Sequence, residues 1–255
     1  MQRTTERKIG LARAMSKLGF CSRSRAVDLI CSGRVHLNGV VKRDPETPVR
    51  LGRDKISVEG DELNVESKIY LMMNKPRGLV TTVSDEKGRE TVYSVLQGQG
   101  LPWVAPVGRL DKASEGLLLM TNDSEWSARV TAPESHLDKN YHVQIGSIVG
   151  DNVLRRLSNG IRMESGEVLR AKSARMIRSG EKNCWLEIVL DEGKNRQIRR
   201  MLETLNIDVL RLVRVAIGPL ELGNLPKGAH RLLNASEKQQ IDSAIRKTNL
   251  TGRVR

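Results

Sequence analysis

A charged turn in the segment PVGRLDKASEGLLLMTND, residues 106–123, contains the first candidate catalytic residues. Arg109 and Asp111 stand on this turn, shortly before the apolar run GLLLM. A carboxylate mounted on a turn against a buried strand is held rigidly, and a neighbouring arginine favours its ionised form. The same pattern also fits an aspartate that only caps backbone amides, and spacing alone favours that plainer interpretation.

Two later segments could complete such a site. Tyr141 lies in the strand-like segment KNYHVQI, where a half-buried structural tyrosine is the ordinary interpretation. The segment GKNRQIRR, residues 193–200, places four cations at the start of a predicted helix, although the helix dipole there favours anions. A cluster of this kind is commonly a solvated face, but a bound RNA phosphate would explain it better.

Most other reaction classes lack their sequence motifs. The chain has no GxxxxGK[ST] phosphate loop, no GxSxG elbow and no HExxH or HxxxH pair among its four histidines. Its three cysteines, Cys21, Cys31 and Cys184, have no metal-ligand spacing, and we expect them to be reduced. The remaining candidate is chemistry by a carboxylate without a metal or a cofactor.

The charge predicts a polyanionic partner. The 255 residues carry a net charge of +13, and no apolar run is long enough for a membrane helix. The polar N-terminus does not resemble a signal peptide, so we expect a cytoplasmic protein that binds nucleic acid and no membrane. Because only 3% of the residues are aromatic, recognition should rely on phosphate contacts and shape more than on stacking.

The first 60 residues read as a basic module, with 13 Lys and Arg against 6 Asp and Glu. Two short helices are predicted, the second with Ser22 or Ser24 as N-cap. Asn38-Gly39 then predicts a hairpin turn. Five basic residues lie along the polar side of this module: Arg13, Lys17, Arg23, Arg25 and Arg34. The segment SRSRAVDLICSGRVHLNG, residues 22–39, resembles the alpha-L RNA-binding module of several ribosome-acting proteins.

The rest of the chain mixes strands and helices without regular alternation, which predicts an α+β fold with a mainly antiparallel mixed sheet. We expect an RNA-binding domain over residues 8–60, a linker over 61–67 and a catalytic domain over 68–250. Helices are predicted at 151–160 (capped by Asp151), 195–206 and 236–247. Strands are predicted at 68–76, 116–122, 140–146, 166–177, 184–190 and 209–218.

Nearly the whole chain resembles one enzyme family. The segment GRLDKASEGLLLMTND is similar to the signature of RNA pseudouridine synthases, in particular the bacterial group acting on ribosomal RNA, with Ser114 at the hydroxyl position. Ser124 departs from the glycine usual after TND. The segments DKNYHV and EGKNRQIRRM resemble the second and third family motifs, and NKPRG and RLVRVAIGPLELGNLPKG also look like family segments.

The resemblance implies a pseudouridine synthase fold and an isomerisation of uridine that needs no cofactor. It makes Asp111, Tyr141 and Arg199 the catalytic residues: a carboxylate, a stacking partner for a flipped uracil, and a cation paired with Asp111. It leaves open whether Asp111 attacks covalently or removes a proton. The residues expected to contact RNA in this domain are Arg109, Lys194, Asn195, Arg196 and Arg200.

The resemblance implies that the partner is ribosomal RNA or a ribosome-assembly intermediate, and that the protein is a monomer. Two alternatives stay open from sequence. One is a non-catalytic RNA-binding or ribosome-assembly protein on the same fold, and the other is a synthase acting on transfer RNA.

Overall fold

A computed structural model describes residues 8–64, 67–83 and 85–251. The described residues divide into two compact units. The first comprises residues up to 70 with 96–105 and 120–125, and the second comprises 71–95, 106–119 and residues from 126 onward.

The first unit joins two short helices to a small antiparallel sheet of order β3-β2-β5-β6. Its core includes Leu11, Met15 and Ile30 from the helices, and Val35 and Ile56 from the sheet. The elements are β1 (Ile9–Gly10), α1 (Leu11–Lys17), α2 (Arg23–Cys31), β2 (Val35–Leu37), β3 (Val40–Lys42), β4 (Pro48–Val49), β5 (Ile56–Val58) and β6 (Asp61–Glu62).

Local sequence signals account for these elements. Of the two possible caps of α2, Ser22 is the N-cap, because its side chain accepts a hydrogen bond from the Arg25 amide at 3.1 Å. Asn38 and Gly39 have φ values of 51° and 80° between β2 and β3, which confirms the predicted hairpin turn.

The second unit is built around a large mixed sheet. The remaining strands are β7 (Tyr70–Lys75), β8 (Ala105–Val107), β9 (Glu115–Thr121), β10 (Lys139–Ile145), β11 (Ile161–Arg162), β12 (Val168–Leu169), β13 (Ser173–Ser179), β14 (Cys184–Leu190), β15 (Val209–Ile217), β16 (Leu220–Glu221) and β17 (His230–Leu232). The helices are α3 (Ser124–Thr131), α4 (Asp151–Asn159), α5 (Gln197–Thr204) and α6 (Ala235–Thr251), with 3₁₀ turns at Val92–Leu96 and Pro133–Ser135.

The strand order of the large sheet is β13-β14-β10-β15-β9-β7-β17, with β8 beside β9 and β16 beside β15. The pairs β13-β14, β14-β10, β10-β15 and β7-β17 are antiparallel, whereas β15 and β9 run parallel. The α+β fold with a mainly antiparallel sheet is therefore confirmed.

One face of β10, β14 and β15 packs on α4 and α5. Alternate residues of β14 are buried against these helices. Ile198, Met201 and Leu202 are buried on α5, as its apolar spacing predicts. Two local predictions are wrong. The N-cap of α4 is Gly150, and Asp151 is the first helical residue. The predicted strand 166–177 is two strands, because β12 pairs with β11 while β13 pairs with β14.

The predicted linker over 61–67 stays a prediction. Its first two residues pair with β5 as β6, and residues 65 and 66 lie outside the described part of the chain. Across the described residues, no helix is long and apolar enough to cross a membrane.

Candidate active site

The turn that carries Asp111 is fixed on both sides by its backbone. The Leu110 carbonyl accepts a hydrogen bond from the Thr81 hydroxyl at 2.7 Å, and the Asp111 carbonyl accepts one from the Ser114 amide at 3.0 Å. Leu110 and Ser114 are buried, whereas Asp111 is partly exposed. The buried strand β9 therefore continues into a rigid turn that presents one carboxylate.

Lys75 lies beneath this turn with a fully buried side chain. Its Nζ donates to the carbonyls of Pro76, Asp111 and Ser114 at 3.1, 3.2 and 2.9 Å. Burial lowers the pKa of Lys75 to about 8, and attraction to Asp111 and Glu115 limits the shift. The segment NKPRG contains Lys75, but its sequence alone did not assign a role to this residue. The available signal was a lysine at the end of a largely apolar strand.

Arg199 reaches the same turn from α5. Its Nη2 donates to the Ala113 carbonyl at 3.0 Å, and its buried Nε has no partner among the described residues. Burial lowers the pKa of Arg199, while the nearby charge of Asp111 acts in the opposite direction. Within the described residues, no ion pair closer than 4.0 Å joins Arg199 to Asp111, so the expected direct pairing is replaced by a contact to the turn's backbone.

Tyr141 and Arg214 are opposite each other on β10 and β15. Tyr141 is half-buried and packs against the core of the second unit. Arg214 is only 5% exposed, and its Nε donates to the Leu117 carbonyl at 2.7 Å. Its Nη2 is buried without a partner in the described part of the chain. Sequence reasoning missed Arg214, although its alternation with Leu212 and Ala216 places it on the inward face of the strand.

Gly116 explains how β9 and β15 come so close together beside Arg214. Its φ is 102°, and a Cβ atom at this position would lie 2.3 Å from the Arg214 carbonyl oxygen. Only glycine tolerates both conditions. The neighbouring Glu115 is buried and binds Arg211 and Lys227 at 2.9 and 2.5 Å. Burial alone would raise the pKa of Glu115, but these two cations give it a net lowering.

Asp111, Tyr141, Arg199 and Arg214 line one cavity of about 610 Å³. Its size lies in the range of ordinary ligand pockets. Lys139, which sequence reasoning also missed, is half-buried in its wall. The pKa of Lys139 is lowered by burial and by Arg214. Seven of the sequence-predicted site residues line the cavity: Arg109, Asp111, Tyr141, Lys194, Asn195, Arg196 and Arg199.

The exposed residues on the cavity's edge precede α5. Arg196 has a left-handed backbone with φ of 48° at the N-cap position of this helix, a conformation that is uncommon for a residue with a side chain. Lys194 lies near Glu167 and Glu192 at 3.4 and 3.3 Å. Arg200 is not brought into the cavity, because it pairs with Glu167 at 2.7 Å on another side of the helix.

The predicted RNA-contacting residues of the first unit are on its surface. Arg13, Arg23 and Arg25 are exposed. Two others already have acidic partners, since Lys17 binds Glu125 at 2.7 Å and Arg34 binds Glu59. Over the described ranges, no group of histidine, cysteine or acidic side chains is arranged to hold a metal ion.

Comparisons with known proteins identify the chain. The RNA pseudouridylate synthase family model matches residues 69–204, and the S4 domain model matches residues 9–54, which confirms the predicted RNA-binding module. A solved structure described as a pseudouridylate synthase is similar with a TM-score of 0.62 and 28% identity, covering 91% of this chain and 99% of that one.

Two bacterial relatives are similar over more than nine tenths of the chain. The ribosomal large subunit pseudouridine synthase B of Bacillus subtilis is 34% identical over 233 residues, which is 91% of this chain and 94% of the relative. An uncharacterized RNA pseudouridine synthase of Aquifex aeolicus is 35% identical over 240 residues, covering 93% and 95% of the two chains. With its fold, its S4 domain and its catalytic-domain motifs in place, the chain belongs to the RNA pseudouridine synthase family of isomerases.

Proposed function

We propose that this enzyme converts one uridine of ribosomal RNA to pseudouridine, with Asp111 as the catalytic carboxylate acting on a base flipped out of the RNA. The observation that carries this proposal is the single cavity of about 610 Å³ lined by Asp111, Tyr141 and Arg199. These are the three residues that the family motifs point to, and they come from a turn, a strand and a helix far apart in sequence.

Asp111 acts at the sugar. It either adds to C1′ as the C1′–N1 bond breaks, or removes the proton from C2′ as that bond breaks. In both routes the bonding electron pair leaves with uracil, which then rotates and bonds to C1′ through C5. In the first route this new bond displaces the Asp111 carboxylate from C1′, and in the second Asp111 returns the proton to C2′. N1 gains a proton and C5 loses one, so that the reaction is a net isomerisation. The rigid turn clamped by Lys75 holds the carboxylate in place for this step.

Arg199 and Tyr141 support the same reaction. The guanidinium of Arg199 favours the ionised form of Asp111 and is anchored through the Ala113 carbonyl. Tyr141 provides an aromatic face for the flipped uracil and a hydroxyl that can assist the final proton transfer.

Base flipping is required because C1′, N1 and C5 are not accessible in a stacked helix, and it costs a few kcal/mol. Arg109 is exposed at the cavity's edge, where it can fill the space left by the base or hold a phosphate. Lys194, Asn195 and Arg196 can bind the adjacent backbone, supported by amides at the start of α5.

Ribosomal RNA is favoured by the S4 domain and by the name of the Bacillus subtilis relative, which places that protein's activity on the large subunit. The first unit, through Arg13, Arg23 and Arg25, would bind structured RNA and raise the local concentration of the target uridine. We propose that the enzyme acts in the cytoplasm on this RNA or on an assembly intermediate, as a monomer.

The test uses large-subunit, small-subunit and transfer RNA transcripts carrying tritium at C5 of uracil, since the isomerisation releases that hydrogen. Wild type, Asp111→Asn and a control, Asp138→Asn, are compared for release and for RNA affinity. Asp138 is a carboxylate outside the cavity that pairs with Lys172. We expect release from ribosomal RNA by wild type and Asp138→Asn, and none by Asp111→Asn at unchanged affinity. Release only from transfer RNA would refute the ribosomal assignment, and release by Asp111→Asn would refute the role of Asp111.

A further inference from the structure

Arg214 carries a hydrogen-bond donor that the folded protein itself does not use. Its side chain is 5% exposed and lines the cavity, with Nε bound to the Leu117 carbonyl and Nη2 buried without a partner among the described residues. Buried donors are nearly always paired, since an unpaired one costs the free energy of its lost hydration. An unpaired guanidinium nitrogen on a cavity wall therefore indicates an acceptor that arrives with the substrate.

The position of Arg214 is tightly constrained. Its backbone is locked by the close approach of Gly116, and its side chain is tethered by the bond to Leu117. Tyr141 is its neighbour on the adjacent strand, and such pairs have Cβ atoms about 5 Å apart. A base stacked on Tyr141 would therefore lie within reach of Nη2.

We propose that Arg214 donates a hydrogen bond from Nη2 to a carbonyl oxygen of the target uracil, and that this bond stabilises the uracil anion formed when the C1′–N1 bond breaks. This role rests on the proposed function. The electron pair of the broken bond is shared among N1, O2 and O4 of the released base. A guanidinium N–H at O2 or O4 thus binds more strongly after cleavage than before it, which is the condition for lowering the barrier.

A base oxygen suits this donor better than a phosphate does. The exposed cations Arg109, Lys194 and Arg196 on the cavity's edge can meet phosphates that remain partly hydrated. Arg214 is the buried one of these four arginine and lysine residues, and its Nη2 is a buried donor without a partner among the described residues. The half-buried Lys139 shares that wall, and its pKa is lowered in part by Arg214. An anion that forms inside the cavity would reduce the repulsion between the positive charges of Lys139 and Arg214.

The experiment measures single-turnover conversion of the transcript from which wild type releases tritium, with either uridine or 5-fluorouridine in place of every uridine. Nucleosides from the digested RNA are separated by chromatography, and loss of the starting nucleoside is measured for both substrates, because fluorine at C5 blocks the final proton loss from that carbon. Fluorine withdraws electrons and stabilises the uracil anion by itself. Arg214→Gln and Arg214→Lys are compared with wild type and with Arg178→Gln, which removes an exposed arginine outside the cavity.

We expect Arg214→Gln to slow conversion of uridine by about 100-fold or more, the effect of losing one donor to a developing anion. The loss should be at least about tenfold smaller with 5-fluorouridine, and RNA affinity should change by less than about threefold. Arg214→Lys keeps the charge and should lose less on uridine, and Arg178→Gln should match wild type. Each variant must be folded at the assay temperature, which a thermal unfolding curve checks. If Arg214→Gln is unfolded there, Arg214→Lys is compared with wild type instead.

Three outcomes would overturn the proposed role. Equal losses on both substrates with weaker RNA binding would make Arg214 a phosphate contact. Equal losses with unchanged binding, or no loss, would leave it a structural residue. Conversion by neither wild type nor variants would refute the proposed function together with this role, and is distinguished by the wild-type control.

Discussion

Replacing Lys75 by methionine tests how the protein holds the turn of Asp111. Methionine fills a similar volume without a charge, and removes three hydrogen bonds to the carbonyls of Pro76, Asp111 and Ser114. Wild-type Lys75 is fully buried, and its pKa is lowered from 10.5 to about 8. Burying the charged form therefore has a cost that the variant does not have.

The size and direction of this cost follow from the pKa. Lowering the pKa of Lys75 from 10.5 to about 8 corresponds to about 3 kcal/mol of unfolding free energy at neutral pH, where Lys75 is protonated in both the folded and the unfolded state. Between about pH 8 and 10.5 the unfolded state binds more protons at Lys75 than the folded state, so the stability of wild type rises with pH. Between about pH 7 and 9.5, the free energy of unfolding of wild type should rise by about 2 kcal/mol relative to that of Lys75→Met.

Urea unfolding of both proteins at these two pH values measures the difference, and taking the difference removes the titration of every other group. Tritium release at about pH 7 should also fall by about tenfold in Lys75→Met, because a loosened turn misplaces Asp111. A stability difference that is constant between the two pH values, or that moves in favour of the variant, would refute the reasoning about Lys75.

Three further changes have definite expectations. Gly116→Ala should lower the free energy of unfolding in urea by about 3 kcal/mol, since its Cβ would lie 2.3 Å from a backbone oxygen at a φ of 102°. The matched control Gly166→Ala has a φ of 83° but no neighbouring atoms, so it should lower that free energy by only about 1 kcal/mol. Glu115→Gln should lower the free energy of unfolding by about 2 kcal/mol at about pH 7, because Arg211 and Lys227 lose their shared carboxylate. The deficit should shrink as the pH falls through the lowered pKa of Glu115, where wild type loses the same charge; a deficit equal at about pH 7 and 3 would contradict this. RNA affinity should fall about a thousandfold between about 50 and 200 mM salt, as about six phosphate contacts require. Arg23→Gln with Arg25→Gln should reduce the salt slope by about two without lowering turnover at saturating RNA, and a slope unchanged by the pair would exclude these two exposed arginines from the interface.

The elements of the fold were largely predictable because their signals are local. Alternation along CWLEIVL predicts β14, the apolar spacing of Ile198, Met201 and Leu202 predicts α5, and Asn38-Gly39 predicts the hairpin of the first unit. The break between β12 and β13 was not predictable in this way. It depends on which strand each half pairs with, and residues distant in the sequence decide that pairing.

In the candidate site, too, residues in local motifs were predictable, whereas residues defined by tertiary contacts were not. Asp111, Tyr141 and Arg199 were predicted because each stands in a recognisable short motif, and the structure places all three on one cavity. Lys75 and Arg214 were missed because their importance lies in burial and in unmet or shared hydrogen bonds, which only the assembled sheet reveals. The expected ion pair of Arg199 with Asp111 was a statement about side-chain reach, and the guanidinium binds the Ala113 carbonyl instead.

The missed residues share a physical feature that bears on how the site works. Lys75 and Arg214 are buried cations, and Arg199 and Arg214 each leave a nitrogen without a partner in the described structure. Each arrangement lowers the stability of the free protein, because buried charges and unpaired donors are costly. All three lie within one unit, where Lys75 binds the turn of Asp111 and Arg199 and Arg214 line the cavity. The side chains that line this cavity carry more positive than negative charge. Under the proposed function, a flipped nucleotide would bring the acceptors and the negative charge that these cations lack, and their unfavourable burial would be offset by binding and by transition-state stabilisation.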